Sequence, residues 1–167
     1  MATLRVMALM VVLVVVALPT VLALSVSCTA PFKAVDKWCV VANISVPDVA
    51  HTWLGARSAC QSIKGDLIVL DEHEKMRAVT AHLKTELSGD ETSFPLWVGG
   101  RGDSGQWRWV DGSLMNLQSH LWIPDSPYET SNKGVSYAKV IQAGQWKRRY
   151  MESTPPESNL PGYICEK

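Results

Sequence analysis

The chain has 167 residues, 47% of them hydrophobic and 19% charged, with 16 Lys plus Arg against 16 Asp plus Glu. That length suits a single domain, and the charge balance excludes a binder of nucleic acid or membrane surface that works through bulk charge. A charged partner must be met by a local patch.

Residues 1–23 read as a signal peptide. Arg5 is their only charge, an aliphatic run follows from Val6 to Leu18, and Pro19-Thr20 leads into Val21-Leu22-Ala23, a small-residue cleavage pattern. Val6 to Leu24 is also long enough for a signal anchor, but Pro19 and the small-residue ending favour removal. The expectation is a secreted, extracellular domain over 24–167, one unit negative once Arg5 is gone.

That domain carries Cys28, Cys39, Cys60 and Cys165. An even count behind a leader implies two disulfides formed in an oxidising compartment, with three connectivities open. Zinc is the rival, but no pair has the spacing of a zinc knuckle and no cysteine neighbours a histidine. Asn43-Ile44-Ser45 is an N-glycosylation sequon, which fits a secreted glycoprotein.

After Pro47-Asp48, apolar residues at Val49, Trp53, Ala56, Cys60 and Ile63 fall on one face of a helix that Gly65 ends. Leu67 to Leu70 is a short β-type run. Asp71 with Glu74 gives a capping signal for a second helix, whose apolar face is Met76, Val79, Leu83 and Leu87 and which stops at Ser88-Gly89. Beyond residue 90 the pattern changes to short strands at Leu96–Val98, Trp107–Val110, Val135–Ile141 and Gly162–Cys165, divided by turn-forming clusters. The class is α+β, with no repeat or linker to suggest a second domain. Asp111 to Gly134 has little regular pattern, and a loop that long in a compact domain points to function.

These pieces, in this order, resemble a C-type lectin-like domain over nearly all of residues 24–167. Cys28 and Cys39 match the amino-terminal disulfide of the long form. Trp53-x2-Ala56-Arg57-x2-Cys60 matches the first helix, Gly65-x-Leu67 the strand after it, and Leu96-Trp97-Val98-Gly99-Gly100 the core strand. Trp107-x-Trp109-x-Asp111-Gly112 matches the hairpin, and Tyr163-Ile164-Cys165-Glu166 the closing strand. The resemblance implies two helices with small antiparallel sheets and a long irregular loop. It also implies the pairings Cys28–Cys39 and Cys60–Cys165, and tryptophans that build core and take no ligand role. The family's second internal cysteine pair falls on Tyr137 and Met151, which are expected to fill the same space as a substituted pair.

In sugar-binding members a calcium ion at the long-loop face is held by an E-P-N or Q-P-D tripeptide and a W-N-D motif, because calcium needs several hard oxygen ligands. Here the tripeptide reads Ser126-Pro127-Tyr128 (the rival register is Ile123-Pro124-Asp125), and W-N-D reads Trp146-Lys147-Arg148. Cations replace oxygen donors, so the usual calcium ligands are absent and no cofactor is expected. Calcium could be held only by what remains, Asp125 and Glu129. The expected ligand contacts are Ser126, Tyr128, Glu129, Lys147, Arg148 and Arg149, with the three cations forming an anion site beside the long loop. The plainer reading is a solvated strand whose cations pair with Glu152 or Glu157.

Two short motifs compete. Arg101-Gly102-Asp103-Ser104 spells an integrin-binding tripeptide, yet a turn needs those residues anyway and that reading is preferred. Gly102-Asp103-Ser104-Gly105 with Thr80-Ala81-His82 imitates serine-protease motifs at a spacing and chain length that cannot build the two barrels, and the remaining histidines, His51, His73 and His120, form no ligand set. The expectation is a non-enzymatic, secreted recognition protein of innate immunity. It would bind glycans or anionic surface polysaccharides on microbial or cell surfaces without the usual calcium-dependent sugar site. The other reading is a calcium-independent protein–protein module, toxin-like or receptor-ligand, with a protein partner or a homodimer through the loop, and no nucleic acid in either case.

Overall fold

A computed structural model describes residues 26–44, 50–87, 93–127, 134–144 and 148–167. The expected leader, residues 1–23, lies outside them, as do Ser45, Ser88-Gly89, Tyr128, Glu129, Trp146 and Lys147.

Alternation along the strands explains why a helix lies on each face of the sheet. The strands are β1 (Lys33–Val35), β2 (Trp38–Ile44), β3 (Asp66–Leu67), β4 (Leu96–Asp103), β5 (Gln106–Trp109), β6 (Val135–Ala143), β7 (Arg148–Thr154) and β8 (Gly162–Glu166), with helices α1 (Trp53–Ser62) and α2 (His73–Glu86). The strand order is β1-β2-β8-β4-β6-β7, with β3 on β8 and β5 on β4. Successive strand residues point to opposite faces. Trp97, Tyr137, Tyr163 and Cys165 therefore join Trp53, Ala56 and Cys60 of α1 in one buried cluster. Their neighbours Leu96, Val98, Ala138, Val140 and Ile164 join Met76, Val79 and Leu83 of α2 in a larger one, which also takes in Met115, Leu121 and Trp122 from the long loop.

Both expected disulfides form, Cys28–Cys39 with Cα atoms 5.5 Å apart and Cys60–Cys165 with Cα atoms 5.4 Å apart. The second bolts α1 to β8 across 105 residues of sequence. Trp53 reinforces it: its indole donates to the Val98 carbonyl at 2.8 Å and its ring stacks on Tyr137 at 4.4 Å. On the other face, Lys75 is buried and meets Glu166 of β8 at 2.5 Å, while the same carboxylate accepts from the Val69 amide at 2.7 Å.

Several local expectations are corrected. Thr52 caps α1, its hydroxyl accepting from the Gly55 amide. The left-handed residue after that helix is Lys64, at φ 65°, and not Gly65. Gly65 is needed for a different reason, since a Cβ there would lie 2.4 Å from the Glu166 carbonyl oxygen. Asp71 does not cap α2; the N-cap is Glu72, with no side-chain cap bond, and Glu74 turns to Lys37 at 3.4 Å. Tyr137 and Met151 do not share one space. They lie three positions out of register across β6–β7, where Tyr137 faces Thr154 and Met151 faces Val140. An odd offset puts them on opposite faces, so Tyr137 packs on Trp53 while Met151 enters the α2 core.

Candidate functional site

The long loop begins at a turn that Asp111 organises. Its carboxylate accepts from the amide and the hydroxyl of Ser113 at 2.9 and 2.7 Å, and those hydrogen bonds hold its pKa below the usual carboxylate value. From there the loop is tied down step by step. The Met115 amide donates to the Trp107 carbonyl, the Trp122 indole donates to the Asn116 carbonyl at 3.2 Å, and the Trp107 and Trp122 rings meet edge to face at 5.4 Å.

The loop then runs beside the outer edge of β7 in the manner of a parallel strand. Met151 donates its amide to Leu121 and accepts from Ile123, and Trp122 pairs with Met151 in a parallel bridge. Ser126 comes next, its hydroxyl accepting from the Ser153 amide at 2.9 Å and lying 3.2 Å from the Ser153 hydroxyl. The Ser126–Pro127 peptide bond is cis.

This geometry separates residues that the sequence reading grouped together. Ser126 sits at Ser153, five positions along β7 from Arg148, which is about 16 Å of extended strand. Arg148 therefore belongs to the far end of β7 and not to the turn carrying Ser126. Arg148 and Arg149 also part company, because strand alternation leaves Arg148 exposed and buries Arg149 at 7% exposure. The Arg149 guanidinium donates to the Phe94 carbonyl at 3.3 Å, and burial lowers its pKa. Glu152 pairs with neither; it meets Lys139 at 3.1 Å. The expected contacts Tyr128, Glu129 and Lys147 lie outside the described residues.

Calcium of the family's sugar site would need carboxylate or amide oxygens at the meeting of loop and strand. The described residues there do not fit it. Ser126 and Ser153 offer neutral hydroxyls already engaged with each other and with backbone, and Asp125 is exposed at φ 66°. Among the described residues no three His, Cys, Asp or Glu side chains come together to hold a metal.

Other sequence candidates resolve locally. Arg101 and Asp103 are ion-paired to each other at 3.1 Å, and Gly102 lies so close beneath Trp107 that a Cβ would be 2.4 Å from its ring. That tripeptide is strand and turn structure. Ser104 bonds Asp103 at the hairpin tip, whereas His82 lies on α2 beside Lys33 and Glu86, its pKa lowered by burial. The side chain of Asn43 is exposed on β2. His51 bridges to Leu160, and its ring meets Tyr163 edge-on at 5.0 Å.

What the sequence reading missed is where the second strand arginine goes. Between α2 and β7 lies a groove of about 710 Å³, with Met76, Leu121 and Tyr150 among its lining residues. Its helix wall is a stripe of His73, Arg77, Thr80-Ala81 and Lys84, and its strand wall is Arg148 and Arg149. The steps of three and four along α2 are legible in the sequence. These residues lie on the polar face of that helix, away from Val79 and Leu83.

The fold is thus a disulfide-bolted α+β domain with a long loop zipped to its last hairpin. The model of the Lectin C-type domain matches residues 49–167. The chain belongs to the C-type lectin family. It is 26% identical to the hepatic lectin of Gallus gallus over 120 residues, 70% of this chain and 50% of that protein. It spans half or less of the first curated relatives it matches, 35% in the case of asialoglycoprotein receptor 2 of Mus musculus. Solved structures share the fold at low identity. SPL-1 in complex with GlcNAc superimposes with a TM-score of 0.67 at 15% identity, covering 86% of this chain and 97% of that one. A calcium-independent type II antifreeze protein superimposes at 0.62 and 20% identity, covering 84% and 94%.

Proposed function

We propose that the chain is a secreted recognition domain of innate immunity that binds carbohydrate on microbial or cell surfaces without the usual calcium-dependent sugar site, and without chemistry. Membership of a lectin family supports carbohydrate as the ligand class. One observation carries the calcium-independent part: where the loop turn meets β7, the hydroxyls of Ser126 and Ser153 bond to each other and to backbone. A divalent cation bound there would have to break those bonds and accept neutral donors in place of carboxylates. Ser126, with Tyr128 and Glu129 beyond it, is the sugar-facing part of the loop in this reading.

The test is a neutral-glycan array probed with the protein purified from the medium of eukaryotic cells, in millimolar calcium and in chelator, beside a calcium titration of tryptophan fluorescence and thermal melting. The expected result is glycan binding that survives chelation and no calcium-induced shift. A saturable, chelator-reversible shift would restore a metal site, with Asp125 and Glu129 as its ligands.

The protein–protein reading has a narrower basis. Leu114 and Leu117 are exposed apolar side chains on the same loop, at 66% and 40%. Among the described residues of the loop these are the exposed large apolar side chains, and two fall short of what a stable interface buries.

A further inference from the structure

We infer that the groove between α2 and β7 is a second binding site, separate from the turn at Ser126, and that it takes a sulfated polysaccharide chain. The inference rests on the carbohydrate reading above for its ligand class. It draws its site and its charge preference from the groove itself.

The charge is one-sided. Arg77, Lys84, Arg148 and Arg149 line the groove with a single carboxylate, Glu74, which is turned to Lys37. Among the described residues Arg77, Lys84 and Arg148 have no ion-pair partner, although the chain as a whole is electrically balanced. Arg149 stands apart, because its guanidinium is buried and fixed on the Phe94 carbonyl. A cation held in a low-dielectric wall projects its field into the open groove more strongly than a solvated one. A guanidinium stays charged through the physiological range.

The shape selects among anions. Arg77 and Lys84 are seven residues apart on α2, about 10 Å along its axis, the span of a disaccharide and not of one isolated anion. Thr80 and Ala81 between them are small, which opens the wall. Tyr150, half-buried, gives the groove a ring against which the C–H faces of a sugar can lie, and the buried Met76 and Leu121 complete its apolar lining. A membrane surface is flat and would meet the rim, leaving Arg149 untouched. Sulfate esters spaced along a saccharide chain match spaced guanidinium and ammonium groups, with the arginines donating in pairs.

The experiment uses the full chain expressed in eukaryotic cells and purified from the medium, with heparin as the sulfated probe and hyaluronan as the unsulfated one. Polyglutamate and phosphatidylserine vesicles represent the other polyanions. Heparin is expected to bind in chelator as well as in calcium, more weakly as salt rises, and at least about tenfold better than hyaluronan, polyglutamate or vesicles. The double variant Arg77→Glu/Lys84→Glu is expected to lose at least about tenfold in heparin affinity, and Arg148→Ser several-fold. Arg108→Glu, on the α1 face, should stay within about twofold. All are substitutions of exposed side chains, so melting curves should overlay that of the parent chain.

Heparin binding that ignores Arg77→Glu/Lys84→Glu, or equal binding of heparin, polyglutamate and vesicles, would overturn the inference. Neutral glycans bound with heparin ignored would also overturn it while leaving the carbohydrate reading intact. Heparin bound through the groove with neutral glycans ignored would uphold it and remove the loop turn as a sugar site.

Discussion

The two faces of the sheet are fastened to the rest of the chain by different means. On the α1 face, Cys60 and Cys165 join helix to closing strand covalently, and Trp53, Trp97, Tyr137 and Tyr163 pack around the bond. On the other face, the long loop reaches β7 without a covalent link: Leu121 and Ile123 bond to Met151 and Ser126 to Ser153, while Leu121 and Trp122 pack into the α2 core. There α2 is also held by ion pairs, Lys75 on Glu166 and Lys33 on Glu86 among them. A disulfide constrains the unfolded chain at long range, whereas a hydrogen-bond zipper holds only the segment that makes it. The candidate loop turn therefore lies on the side that no disulfide fastens among the described residues.

If that division is right, breaking the covalent side should unfold the domain. Replacing Cys60 and Cys165 together by Ala should cost about 4–5 kcal/mol in the loop-closure model, against about 3 kcal/mol for the short Cys28–Cys39 loop. Urea denaturation midpoints would rank the two, and an equal loss from both pairs would argue that α1 is held by its aromatic packing and not by the bridge. Next in size is Lys75→Met. Leaving the half-buried Glu166 carboxylate without its cation should cost about 3 kcal/mol, and the double variant Lys75→Met/Glu166→Gln should recover most of it. A double variant as unstable as the single one would show that the Lys75 ammonium over the Trp38 ring at 5.8 Å, and not the charge pair, fastens α2.

Legibility in the sequence follows the same divide. The α1 face could be read because its residues are apolar at helical or strand spacing and end in cysteines. Trp53, Ala56 and Cys60 are buried as their spacing requires. The other face was harder. Strand β7 opens Arg148-Arg149, and no apolar alternation announces that Arg149 is the buried member. A long aliphatic stem carrying a guanidinium to a backbone carbonyl reads as surface charge until the strand is in place. The partners of the long loop were not legible at all, because Leu121, Ile123 and Ser126 bond to β7 through backbone and hydroxyl groups that almost any residue could supply. The family resemblance placed Arg148 beside the Ser126 turn and paired Tyr137 with Met151. Both failed for one reason: distance along the chain does not fix which strand residue faces the loop, and the hairpin register does.

The smallest effect is the most specific to the loop. Ser126→Ala removes the acceptor for the Ser153 amide, a group inside a buried stretch of β7, and should cost about 1–2 kcal/mol. The global melting temperature should move little if the zipper opens independently of the core. The local readout is hydrogen exchange. The Ser153 amide should exchange markedly faster in the variant, while the Val69 amide, held by Glu166 across the sheet, should keep its protection. Equal acceleration at both amides would mean that the loop and the sheet unfold as one unit. The hydroxyl pair would then be part of the domain's stability, and calcium or sugar at that turn would have to work against the whole fold.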